Sequence, residues 1–101
     1  MADESTLNIA SEYIKSIPVN LGLSKAYLFG SYSKGNQYPD SDIDIAVILK
    51  KIDNFFDVQM QLMRLRRNID LRIEAHPIAE TDFIPENPFA YEIINTGIRL
   101  I

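Results

Sequence analysis

The sequence predicts a domain of the α+β kind (mixed α/β): a three-stranded or slightly larger mixed sheet with helices packed on it. Three observations carry this. Short apolar runs that suit strands lie at 26–29 and 43–49, and an alternating apolar–polar segment lies at 69–75. Segments with apolar residues at steps of three and four lie between and around them. Capping and turn residues mark the junctions. Strands alternating with helices in this way build a sheet covered by helices.

In the first segment Leu7, Ala10, Ile14 and Ile17 make one apolar helix face, with Ser5 as N-cap and Pro18 at the end. Gly22 and Ser24 break the chain before a buried strand at Ala26-Tyr27-Leu28-Phe29. A short helical turn is expected from Ser31 to Gly35, then a loop from Asn36 to Asp40. Ile43 to Leu49 forms the second strand and stops at Lys50-Lys51. Asn54 caps a second long helix, whose apolar face is Phe55, Val58, Leu62 and Leu65. Arg64, Arg66 and Arg67 sit at its C-terminal end, where cations favour the helix dipole. A third strand is expected over Ile69 to Ala75, because Ile69, Leu71, Ile73 and Ala75 alternate with Asp70, Arg72 and Glu74. The stretch from His76 to Glu86 reads as turns. Asn87-Pro88 starts the last helix, with Phe89, Ile93 and Ile94 on its buried side, Gly97 as terminator and an extended tail from Ile98 to Ile101.

The chain has 101 residues, the size of a single domain spanning 1–101. Nearly half the residues, 47%, are apolar, which favours a packed globule over disorder. The net charge of -4 argues against direct nucleic-acid binding through phosphate neutralisation. There are no cysteines, so disulfides and thiolate zinc sites are excluded. The polar N-terminal stretch MADESTLNIASEY has no apolar signal core, and no apolar run reaches membrane-spanning length. The expected location is cytoplasmic.

Asp42 and Asp44 carry the most specific chemistry. Residues two apart on a strand share a face, so the two carboxylates stand together while Ile43 and Ile45 point into the opposite layer. Like charges this close repel, and no lysine or arginine lies within the strand. A divalent cation relieves the repulsion, and hard oxygen donors select magnesium or manganese. Taken alone, the pair also fits a solvated strand end. Gly30 lets the backbone turn sharply out of the first strand and lets a ligand approach. Ser31 then opens a helical turn whose unpaired N–H groups, with the hydroxyl, suit an anion. Asp70 reaches the pair if the third strand lies beside the second, and three carboxylates can hold two metals about 4 Å apart. Glu74 lies on the same predicted face and takes that role if the register differs by a turn.

Gly30-Ser31, then Asp42-x-Asp44 within SDIDIAV, then an acid in a later strand resembles the minimal nucleotidyltransferases (MNT family) of the DNA polymerase β-type superfamily. The resemblance runs from Ala26 to the final helix. It implies a palm-like fold, with Gly30 and Ser31 holding a nucleoside triphosphate, and Lys34 where the family often has a basic residue. It implies that Asp42, Asp44 and Asp70 bind magnesium in a two-metal site. Ser33 stands where the family often has alanine. The implied reaction is attack of a hydroxyl on the α-phosphorus of ATP or another triphosphate, with Asp70 drawing off the hydroxyl proton and pyrophosphate leaving.

A chain this short is expected to carry no acceptor domain of its own, and the open palm to be covered by a two-fold self-contact or by a helical partner. The resemblance suggests a HEPN-type protein to which AMP is transferred, with this chain as the antitoxin. Two other readings stand beside it: a module that binds nucleotide or partner without turnover, and a small-molecule (antibiotic-type) nucleotidyltransferase. His76, ahead of Pro77, reads as structural; the arginines read as helix-end charges; Tyr27, Tyr38 and Tyr91 read as packing groups.

Overall fold

A computed structural model describes residues 3–30 and 42–101. The expected helical turn and loop between Gly30 and Asp42, with Ser31, Lys34 and Tyr38, lie outside the described residues. Among the described residues three α-helices, α1 (Glu4–Ser16), α2 (Phe55–Leu65) and α3 (Pro88–Thr96), pack on a sheet of β1 (Leu23–Phe29), β2 (Ile43–Leu49), β3 (Ile73–Ala79) and β4 (Ile98–Arg99). The strand order is β3-β2-β1-β4. β1 runs antiparallel to both neighbours, and β2 and β3 run parallel. The sheet is therefore mixed, and the expected tail supplies its fourth strand.

Alternation along the strands divides the core. Ala26, Leu28, Ile43, Ile45, Val47, Leu49, Ile73 and Ala75 face α1 and α2, meeting Ala10, Tyr13, Ile14, Val58 and Leu62. The other face carries Ala46, Ile48 and Ile78, which pack with Phe83 and with Ala90 and Ile93 of α3. The buried Tyr13 hydroxyl donates to the Leu62 carbonyl at 2.7 Å and ties α1 to α2. Burial pushes the Tyr13 phenol well above its ordinary pKa, with Arg66 opposing. Tyr13→Phe leaves that carbonyl without its donor, and we expect a loss of about 1 kcal/mol in urea unfolding with no change in slope.

Several boundaries differ from expectation. The N-cap of α1 is Asp3, not Ser5: its carboxylate accepts from the Thr6 N–H at 2.7 Å. Asn54 and Asn87 cap α2 and α3 as expected. In α3 the buried residues are Ala90 and Ile93, whereas Phe89 and Ile94 are 44% and 39% exposed. The third strand begins four residues late and runs four residues further. Arg66–Asn68 extend α2 as a tight turn, the Ile69 and Asp70 N–H groups both bond to the Arg66 carbonyl, and Leu71 is 68% exposed. Asp70 then accepts from the Arg72 N–H two residues on, a side-chain turn that delays the strand. At its far end the strand passes through His76-Pro77, where a turn is expected from the proline.

Proline is tolerated because β3 is an edge strand. The Ile43 N–H donates to the Arg72 carbonyl, so the backbone N–H and C=O groups of even-numbered residues here point to β2 and those of odd-numbered residues point away from it. Pro77 is odd, and its missing N–H lies on the outer side. On that side the Ile73 carbonyl accepts from Arg66 Nη1 at 2.8 Å and the Ala75 carbonyl from Gln59 Nε2 at 3.2 Å. The Ile73 N–H donates to the Asp70 carbonyl at 3.2 Å.

Candidate active site

The central strand β2 presents Asp44 on the α3 face, one pleat beyond Ala46. Its register partners are Phe29 on β1 and Glu74 on β3. Two carboxylates from adjacent parallel strands thus stand side by side on one face of the sheet. Asp42 lies exposed just ahead of β2. His76 follows Glu74 by two residues, so it shares that face, and its Nε2 lies 3.1 Å from Asp44 Oδ1.

Gly30 closes the site from the end of β1. Its φ is +77°, a conformation glycine adopts without strain. A β-carbon at Gly30 would stand 2.6 Å from Asp44 Oδ2. The sharp exit expected here is present, and a second requirement accompanies it: Asp44 packs directly against the bare α-carbon.

The remaining acids have partners of other kinds. Glu74 Oε2 lies 3.8 Å from Arg66 Nη1, which also donates to the Ile73 carbonyl. Asp70 sits in the turn ahead of β3, gripped by Arg72 through Nε to Oδ1 at 3.0 Å and Nη2 to Oδ2 at 2.7 Å. These Arg72 hydrogen bonds hold the Asp70 carboxyl below its ordinary pKa, with partial burial opposing. Among the described residues, no group of three His, Cys, Asp or Glu side chains is placed to hold a metal ion. The donors nonetheless fit a hard cation by chemistry, since Asp44 and Glu74 offer carboxylate oxygens from neighbouring strands with Asp42 close in sequence.

Beside Glu74 and His76 a cleft of about 540 Å³ opens along β3, lined among others by Phe55, Gln59, Asn87 and Phe89. His76 stands beside Asp44, a placement that the sequence reading did not expect. Ending the third strand at Ala75 left His76 in a turn, whereas carrying the alternation of Arg72 and Glu74 two residues further puts it on their face.

A family profile described as Polymerase beta, Nucleotidyltransferase matches residues 12–101. Among solved structures, a toxin–antitoxin crystallised with AMP-PNP aligns with 94% of this chain and 72% of its own, at 27% identity and a TM-score of 0.67. A protein of Sulfolobus solfataricus described as a nucleotidyltransferase aligns with 77% of this chain and 70% of its own, at 28% identity and a TM-score of 0.61. A mutant of the MntA-HpeT toxin–antitoxin aligns with 94% of this chain and 72% of its own, at 24% identity and a TM-score of 0.64, a likeness that bears on the fold alone. No curated protein matches the sequence. No helix among the described residues is long and apolar enough to cross a membrane.

Proposed function

Because the chain belongs to the polymerase β nucleotidyltransferase family, we propose that it transfers AMP from ATP to a hydroxyl on a partner protein, as the antitoxin of a toxin–antitoxin pair. The observation that carries the reading is the parallel register that lays Glu74 beside Asp44 at the end of a glycine turn. The likeness to a toxin–antitoxin crystallised with AMP-PNP supports both nucleotide and partner. A small helical protein of HEPN type suits the partner. Asp42, Asp44 and a third acid would hold magnesium, which supplies charge neutralisation at the phosphates and a more acidic acceptor hydroxyl. Gly30, with Ser31 and Lys34, would admit and orient the triphosphate. The acceptor oxygen bonds to the α-phosphorus, the bond to pyrophosphate breaks, and the third acid takes the hydroxyl proton.

Asp70 and Glu74 compete for the place of third acid, and the register favours Glu74. Asp70 is held by Arg72, while Glu74 lies directly across from Asp44. Glu74→Gln should lower transfer by roughly 10²-fold or more and leave the melting temperature unchanged. Asp70→Asn should instead cost on the order of 1 kcal/mol of stability at neutral pH. A carboxyl whose folded pKa is depressed stabilises above its unfolded pKa, and that contribution fades as pH falls through the folded value. The gap between parent and Asp70→Asn should therefore narrow below about pH 4. Lost transfer in Asp70→Asn with stability intact would put Asp70 in the site instead.

The test of the function is incubation with α-labelled ATP, magnesium and the helical partner. Label should appear on the partner and should require magnesium. Label from γ-labelled ATP would indicate a kinase. The second reading, a palm that binds nucleotide or partner without turnover, is favoured by one observation: Asp44 and Glu74 are each engaged by a neighbouring side chain. Tight association without any label transfer would select it.

A further inference from the structure

We propose that His76 is a positioning residue for Asp44, holding one carboxylate oxygen by hydrogen bond so that the other stays fixed at the Gly30 turn. The inference rests on the proposed metal-dependent transfer and adds a residue to its machinery. A carboxylate oxygen only accepts, so Nε2 of His76 carries the hydrogen in its 3.1 Å contact with Asp44 Oδ1. Asp44 Oδ2 is the atom that faces Gly30. The two oxygens are thus distinguished by their surroundings, one anchored and one left toward the phosphate turn.

The anchor is itself braced. His76 meets Phe29 edge-on, with ring centres 5.0 Å apart and planes at 63°, and lies 6.1 Å from the Phe89 ring. Phe29 in turn meets Phe89 edge-on at 5.5 Å. Backbone register fixes the base of the ring, since His76 pairs with Ala46 while Glu74 pairs with Asp44. Carboxylates that bind metals work best when a neighbouring donor settles their orientation, and loss of such donors typically weakens metal affinity 10- to 100-fold. The alternative is that His76 merely fills a place in the aromatic cluster, with its hydrogen bond incidental.

Two substitutions separate these roles. His76→Phe keeps a ring against Phe29 and Phe89 and removes the donor. His76→Gln removes the ring and keeps an N–H donor at similar reach. Manganese uptake by the whole chain is read by electron paramagnetic resonance in the presence of AMP-PNP, and melting temperature is read without metal. A positioning role predicts that His76→Phe binds manganese about 10-fold more weakly or worse, although it melts no lower than His76→Gln. It also predicts that His76→Gln stays within about 3-fold of the parent, well inside that loss. His76→Leu serves as a second donor-free variant if His76→Phe does not fold. Parent-like binding in the donor-free variant, or equal weakening in His76→Gln, overturns the inference alone. If the parent itself takes up no manganese with nucleotide, the metal-dependent reading falls and the inference falls with it.

Discussion

Asp44→Asn will abolish label transfer, by on the order of 10³-fold, and leave the protein folded. Asp44 is the hub of the candidate site. It lies across from Glu74 and Phe29, is bonded by His76, and packs against Gly30. Asparagine has nearly the same shape, so the contact with Gly30 and the strand register survive. What goes is the negative charge, and with it half of the acidic pair that Asp44 forms with Glu74 across the register. The amide can still accept from His76, so stability should change by less than about 1 kcal/mol. Transfer is measured with α-labelled ATP and the partner, stability by urea unfolding. Transfer within 10-fold of the parent would remove Asp44 from the chemistry and would favour a non-catalytic palm.

The second large effect is expected at Gly30, and it is expected on two measurements at once. A side chain at φ +77° is strained whatever surrounds it, and β-branched valine is strained most. The added carbon would also drive into Asp44 Oδ2. Relief requires Asp44 to rotate, which breaks its bond to His76, or the turn to shift. Gly30→Val should cost on the order of 3 kcal/mol in stability, from backbone strain and overpacking together. Triphosphate affinity should fall in the fraction that remains folded. Gly30→Ala separates the two terms, because it keeps the clash with Asp44 and lessens the backbone penalty. Unchanged affinity for AMP-PNP in folded Gly30→Ala would show that neither Gly30 nor the Asp44 oxygen beside it meets the nucleotide.

Much of this arrangement was legible in the sequence. The β2 strand follows from its apolar run, and the caps at Asn54 and Asn87 follow from residue chemistry. The sharp turn at Gly30 was legible too, although its contact with Asp44 depends on β1 and β2 being neighbours, which periodicity does not tell. The third strand was the weak point. Its alternation begins at Ile69, but the competing Asx-type turn at Asp70 and the extended end of α2 take the first residues. Its far end was hidden by Pro77, which breaks a central strand but not an edge strand, and strand order is a tertiary fact. That one ambiguity left both the choice between Asp70 and Glu74 and the role of His76 open. The exposure of Phe89 was likewise hidden: the face of α3 is set by Ala90, a residue too small to stand out beside two large apolar neighbours.

The outer side of β3 bears on how the protein meets others of its kind. A bare strand edge is a template on which another chain can continue the sheet. Here the carbonyls of Ile73 and Ala75 are already occupied by Arg66 and Gln59, the Ile73 N–H is bonded back to its own turn, and Pro77 offers no donor. The opposite edge is β4, only two residues long. Neither border can readily seed a growing ribbon. Among the described residues, both borders of the sheet thus offer few open pairing positions, in a chain with exposed aromatic residues such as Phe55, Phe56 and Phe89.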